Sequence, residues 1–223
     1  MSDAARRDAA LLTAVSAVVA FVALRSVVAI GGHRPLAIDV WWHDLMGAAS
    51  SDVGIVIAWV PAVIGGTIGM ILVGAALVVL LLWRGRRGDA VTLATAMVAV
   101  VAVGATMAAV IGRTRPADSL AESVATSFPS GHTAVATTVV VVLGIALRRR
   151  LVWVLGTIWV LTMMWSRTYL SAHWLSDVIA GMLEGIGVAT LVWVCAEAVR
   201  DRHAARLSDT PPFEHSDESA TTP

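Results

Sequence analysis

The 223-residue chain contains no lysine: all sixteen of its basic side chains are arginines. A cationic group needed for binding or chemistry must therefore be a permanently charged guanidinium or a histidine. Charge is scarce, at 14 % of residues, and balanced, with sixteen acidic side chains against the sixteen arginines. A net charge of zero leaves no electrostatic footprint for a nucleic-acid partner. Cysteine is reduced to Cys195, which lies in an apolar run. A lone cysteine excludes an internal disulfide, and its surroundings favour packing over redox chemistry. What fills the space left by charge is hydrocarbon. With 57 % hydrophobic residues, the chain is too apolar for an ordinary soluble domain and reads as an all-α polytopic membrane protein.

The apolar runs predict a six-transmembrane-helix bundle with a short interfacial helix between the first two spans. The first span, Ala9 to Ile30, follows Arg6 and Arg7 and continues past Arg25 without a convincing small-residue cleavage site, so it is read as a retained helix. An arginine at mid-bilayer costs about 2.5 to 3.5 kcal/mol on insertion scales, which puts Arg25 near the outer end or facing the bundle. His33 to Gly54 holds Pro35, Asp39, Trp41, Trp42, His43 and Asp44, a pattern suited to the headgroup layer. Asp39 and His43 are four apart and could pair, but interfacial anchoring is the simpler account. The second span, Ile55 to Trp83, exceeds the roughly 20 residues a crossing needs, so tilt is expected. Its Gly65 and Gly69 form a small-xxx-small face. Spans three to six are Ala90 to Ile111, Ser130 to Leu147, Leu151 to about Trp165, and about Trp174 to Val199. Residues 1–206 then form one membrane domain. Residues 207–223, rich in Asp, Glu, Ser, Thr and Pro, read as a disordered cytoplasmic tail.

An even number of spans places both termini on one side, together with Arg84 to Arg87 and Arg148 to Arg150. The positive-inside rule assigns that side to the cytoplasm. The interfacial segment, the loop from Arg113 to His132 and the stretch around Arg167 to His173 fall together on the outer face.

Those outer segments gather Arg113, Arg115, Ser130, His132, Arg167, His173 and Asp177. Three arginines describe an anion site, and they would repel a metal cation from the two histidines and the aspartate. Ser130 opens a helix, where its hydroxyl can cap and exposed N–H groups favour a phosphate. His132, one turn in, can donate a proton to a leaving oxygen. Asp177 lies one helical turn after His173. A carboxylate that fixes the tautomer of one imidazole nitrogen leaves the other as an unprotonated nucleophile. Arg167 supplies a planar fork of donors. These parts amount to phosphoryl transfer with a histidine nucleophile.

Arg115-Pro116, then Pro129-Ser130-Gly131-His132, then Ser166-Arg167 followed by His173 and Asp177 resemble the three-part signature of the type 2 phosphatidic acid phosphatase superfamily, whose membrane members have six helices. The resemblance implies that His173 attacks phosphorus, with Asp177 orienting it. His132 would protonate the leaving group and later activate water. Arg115, Arg167, Ser130 and the backbone of Gly131 would hold the phosphoryl oxygens without metal or cofactor. The family's lysine, seven residues before the arginine of Arg-Pro, is here Ala108, and Arg113 is the nearest candidate to compensate. Glu184, seven residues after Asp177, carries a carboxylate deep into the sixth span. The implied protein is an integral-membrane lipid phosphatase of the cytoplasmic membrane, of bacterial type. Its site would lie at the outer face and act on polyprenyl diphosphate, phosphatidic acid or phosphatidylglycerol phosphate. A non-catalytic lipid-phosphate binder and a lipid phosphotransferase are the alternatives. The sequence does not specify an oligomeric state.

Overall fold

The computed structural model describes residues 3–121 and 125–208. Within them lie eight helices: α1 (Asp3–Ile30), α2 (Ala37–Ala48), α3 (Asp52–Ile64), α4 (Thr67–Trp83), α5 (Arg87–Ile111), α6 (Gly131–Leu147), α7 (Arg150–Tyr169) and α8 (Leu175–Ser208). In hydrocarbon every backbone N–H and C=O must find its partner within the protein, so apolar runs of this length fold as helices. Four of them, α1, α5, α7 and α8, are long and apolar enough to cross a bilayer alone, and α3 with α4 makes a fifth candidate, bent by 51°. The chain is thus an all-α polytopic membrane protein. The remaining apolar helix, α6, has 17 residues, or about 26 Å. Beyond Ser208 the expected tail lies outside the described residues.

The second apolar run departs from its expected form. Instead of one tilted helix it breaks at Gly65 and Gly66. Gly69 makes the break possible: a side chain there would collide with the Val63 and Ile64 carbonyls at the end of α3. The Met163 side chain of α7 occupies the space a Cβ would take at Gly65. The two glycines read as a helix-packing face therefore serve a bend and a close contact with α7.

The bundle is organised around α6 and α8. Thr133, Ala134, Ala136, Thr138 and Val142 of α6 are buried, whereas α3 and α4 turn Val53, Val56, Ile68 and Leu72 outward to the lipid. Gly181 and Gly185, one turn apart on α8, let the two backbones meet. A Cβ at Gly181 would strike the Ser130 carbonyl, and one at Gly185 would sit 2.5 Å from the Ala134 carbonyl oxygen. Close approach through small residues is how membrane helices gain packing without a hydrophobic drive. Here it presses the start of α6 against the first turns of α8. Arg25 shares a face of α1 with Phe21 and Val28, two residues that pack in a cluster with Ile111 and Phe128. Cys195, expected to pack, is exposed on α8.

The arginine-rich ends collect at one end of the bundle. Arg7 pairs with Asp201 and Glu197, and Arg86 binds Asp89 and the Ala146 carbonyl, both at 2.7 Å. Residues of the three-part signature gather at the other end.

Candidate active site

The turn between α7 and α8 delivers His173. Helix α7 closes with Ala172 N–H donating to the Arg167 carbonyl at 3.0 Å and Ser171 N–H to the Thr168 carbonyl at 3.1 Å. These are the two bonds of a Schellman turn. The residue in the left-handed position is Ser171, with φ of 52°, and its hydroxyl donates to Asp118 at 3.0 Å. His173 N–H also reaches the Arg167 carbonyl, at 3.2 Å. One arginine thus shapes the turn with its backbone and holds its guanidinium, 1 % exposed, beside the site.

His173 is buried. Its Nδ1 lies 2.7 Å from the Ser127 carbonyl oxygen. A carbonyl only accepts, so Nδ1 carries the proton and Nε2 keeps its lone pair. That Nε2 faces Arg115 Nη1 at 3.2 Å, and Arg115 also donates to the Ala172 carbonyl. Burial first, and then the charges of Arg115 and Arg167, hold the His173 imidazole well below the ordinary histidine range. The ring is therefore neutral and nucleophilic at Nε2.

Asp177 does not make the bond expected of it. Its Oδ2 stands 3.9 Å from His173 Nδ1 and accepts the Trp174 N–H at 2.9 Å, while Oδ1 accepts from Arg113 Nη1 at 2.6 Å. The one-turn argument assumes a helix from His173, but α8 begins at Leu175. The tautomer is set by the Ser127 carbonyl, and Asp177 serves as the cap of its own helix and as partner to Arg113.

Arg113 sits elsewhere than at a phosphate. It is fully buried. Its Nη1 donates to Ser176 Oγ at 2.7 Å and to Asp177, and its Nη2 to Asp39 at 2.7 Å and to the Arg34 carbonyl at 3.1 Å. With both terminal nitrogens engaged by two carboxylates, Arg113 is a strut between α2 and α8. Its terminal nitrogens are turned to Asp39, Ser176, Asp177 and the Arg34 carbonyl.

The remaining parts lie at the N-terminal end of α6, in and just before its first turn. His132, in the first turn of α6, hydrogen-bonds the Ala62 carbonyl of α3, and both His132 and His173 feel the charges of Arg115 and Arg167. The α3–α4 break borders this group, since a Cβ at Gly66 would lie 3.9 Å from His132 Nε2. Ser130 occupies the N-cap of α6 without capping it. Its hydroxyl meets Thr133 Oγ1 at 3.2 Å, and its N–H donates to the Asp177 carbonyl at 3.0 Å. Gly131 is exposed, with open space where a side chain would stand. A helix N-terminus left open beside two guanidinium groups is an anion cradle.

Three contributors carry no motif and escape sequence reasoning. Asp39 is buried against Arg113 and Ser176, and His43 pairs with Asp118 at 3.4 Å and not with Asp39. Ser127 holds His173 through its carbonyl and places its hydroxyl 3.4 Å from the Arg113 and Thr114 carbonyl oxygens, and Ser176 acts through hydroxyl and N–H. The one available signal was the position of Asp39, three residues after Leu36 at a helix start, where a carboxylate can accept the N–H of the residue before the helix. Glu184 is buried with neither carboxylate oxygen hydrogen-bonded among the described residues, and it faces α5 at Gly104.

A neutral histidine, a second histidine, two arginines and an open helix end come together at one mouth of a membrane bundle as a candidate phosphoryl-transfer site. The family model of the PAP2 superfamily matches residues 89–201, just over half the chain, and the chain belongs to that superfamily. It is a membrane lipid phosphate phosphatase, a hydrolase. Its fold is similar to that of a transmembrane PAP2 type phosphatidylglycerolphosphate phosphatase from Bacillus subtilis. The TM-score is 0.72 at 18 % identity, over 84 % of this chain and 97 % of that one. It is also similar to LpxE of Aquifex aeolicus, with a TM-score of 0.63 at 21 % identity, over 71 % of this chain and 96 % of that one. No curated protein matches the chain in sequence.

Proposed function

We propose that the protein hydrolyses a phosphomonoester or diphosphate of an outer-leaflet lipid through a phosphohistidine on His173. The observation that carries this reading is the pair of contacts on one ring, Nδ1–H to the Ser127 carbonyl at 2.7 Å and Nε2 to Arg115 at 3.2 Å. A phosphoryl group that displaces the Arg115 contact meets a lone pair already aimed at it. The Nε2 lone pair forms the P–N bond while the P–O bond to the leaving group breaks, and His132 supplies that oxygen with a proton. Water then attacks phosphorus, gives its proton to His132, and the P–N bond breaks to free phosphate and neutral His173.

Arg115, Arg167, the Gly131 N–H and Ser130 hold the phosphoryl oxygens. Two fixed guanidinium groups supply the charge stabilisation that a metal supplies in other phosphatases. With Arg113 committed to two carboxylates and Ala108 uncharged, the cradle works with one cation fewer than the family pattern. Asp177, 3.9 Å from Nδ1, stabilises the positive charge that the ring acquires when Nε2 bonds phosphorus.

The same reading makes α6 a crossing, for six spans in all. Its first residue follows Ser130, bonded to Asp177 at the site end, and its last turn holds the Ala146 carbonyl bonded to Arg86 at the arginine end. The arginine end faces the cytoplasm with both termini, and the site opens outward. Polyprenyl diphosphate is the first substrate to try. The Bacillus neighbour's phosphatidylglycerolphosphate and phosphatidic acid come next.

The test uses purified protein in EDTA with each of these three lipids, beside His173→Ala. Phosphate release by the intact protein, lost by ~10⁴-fold or more in the variant, is expected. Release that persists in the variant removes His173 as nucleophile. Phosphate appearing on an acceptor lipid in place of water makes the protein a transferase.

A further inference from the structure

Asp39 belongs to the interfacial helix, carries no motif, and is fully buried. It accepts four hydrogen bonds from three separate parts of the chain. Leu36 N–H donates at 2.8 Å, Arg113 Nη2 at 2.7 Å, and Ser176 through its N–H at 2.7 Å and its hydroxyl at 2.8 Å. One carboxylate therefore caps the first turn of α2 and, from across the fold, the first turn of α8. His173 lies two residues before that turn of α8, and Asp177 lies within it.

Two routes run from Asp39 to the nucleophile. The first goes through Ser176 to the start of α8. The second goes through Arg113, whose own carbonyl accepts the Ser127 N–H at 2.8 Å, while the Ser127 carbonyl holds His173 Nδ1. There is also a charge argument. Asp39 and Asp177 share one guanidinium, so the cluster keeps one negative charge beside the ring that becomes cationic during attack. Without Asp39, Arg113 would neutralise Asp177 alone.

We propose that Asp39 is a positioning residue for His173, fixing the nucleophile through α8 and Ser127 and leaving Asp177 its charge for the phosphorylated ring. This rests on the phosphohistidine reading above. Substrate binding belongs to Arg115 and Arg167, so the loss should fall on the rate of phosphoryl transfer.

The full-length protein, Asp39→Asn and Asp44→Asn are compared on polyprenyl diphosphate, phosphatidylglycerol phosphate and phosphatidic acid, with melting temperature and rapid-quench phosphohistidine formation measured alongside. Asp44 is on the exposed side of the same helix and controls for any change of charge there. Asp39→Asn is expected to lower kcat and the phosphohistidine rate by about 10- to 100-fold with KM held within about twofold, while Asp44→Asn keeps both. A kcat equal to that of Asp44→Asn, or a loss confined to KM, overturns the inference and leaves His173-dependent hydrolysis intact. If the unsubstituted protein hydrolyses none of the three lipids, the phosphatase reading and the inference fall together. Should Asp39→Asn not fold, Ser176→Ala carries the test, because it breaks the Asp39–Ser176–Arg113 link and keeps both carboxylates. A kcat reduced by roughly 3- to 10-fold at unchanged KM is expected there, and an unchanged kcat overturns the inference.

Discussion

Arginine meets carboxylate at both ends of this bundle, in opposite surroundings. At the site end, Arg113 is fully buried and is gripped by Asp39 and Asp177, themselves fully buried. At the other end, Arg7 pairs with Glu197 and Asp201, Arg86 with Asp89, and Arg200 with Glu197, all on side chains open to water. The residue types are the same and the consequences are not. A solvated pair gains little because water screens each charge about as well as the partner does. A buried guanidinium has no such alternative, so its carboxylates are obligatory and their positions are fixed by it. The solvated pairs gather at one end of the bundle, and the buried cluster ties α2 to the start of α8 beside His173.

The largest effect expected from that difference is at Arg113. Arg113→Ala strands two buried carboxylates, and a broken buried pair costs about 3 to 5 kcal/mol. The variant should melt far below the parent in detergent, and any folded fraction should have lost turnover, since Ser127 and α8 are both tied to this residue. A variant that melts with the parent would mean that the buried cluster is no strut, and the contrast between the two ends would collapse.

Next in size is Asp177→Asn. The Ser127 carbonyl already fixes the His173 tautomer, so this substitution should remove charge stabilisation without unseating the ring. Turnover is expected to fall by roughly 100-fold, short of the loss in His173→Ala. A loss as deep as that of His173→Ala would show that Asp177 orients the nucleophile after all.

The pH profile sharpens the same point without a substitution. Burial and the guanidinium groups of Arg115 and Arg167 lower the His173 value. The neutral ring is the nucleophile, and a lowered value keeps it neutral as pH falls, so the acid limb of kcat/KM due to His173 should lie below the ordinary histidine value of about 6.5. An acid limb at or above that value would mean that the site does not depress His173.

Those contrasts also explain what the sequence could and could not reveal. His132, His173, Arg115 and Arg167 were legible because phosphoryl chemistry needs those side-chain types, and they are costly in an apolar chain. Asp39 was not, because it lies among tryptophans that suit a headgroup layer and its guanidinium partner is 74 residues away. Ser127 was hard to see, since what it offers His173 is a carbonyl that every residue has, and its hydroxyl, near the Arg113 and Thr114 carbonyls, belongs to no motif. The break at Gly65 and Gly66 was hidden in a run whose apolar length by itself predicts one continuous helix. Arg113 shows the opposite failure. Its place beside the Arg-Pro motif suggested a phosphate ligand, and only the fold reveals the carboxylates that claim it.

The smallest effect should come from the exposed end. Arg86 binds Asp89 and the Ala146 carbonyl at 2.7 Å, a geometry as good on paper as that of Arg113. Yet its side chain is 35 % exposed, so water replaces whatever a substitution removes. Arg86→Ala should therefore lower stability by less than about 1 kcal/mol, with kcat and KM unchanged. What remains of the pair should weaken further in added salt, as solvated pairs do and buried ones do not. A melting shift as large as that of Arg113→Ala, or one insensitive to salt, would mean that the Ala146 hydrogen bond anchors α6 in its own right. Exposure would then be the wrong measure by which to separate the two ends.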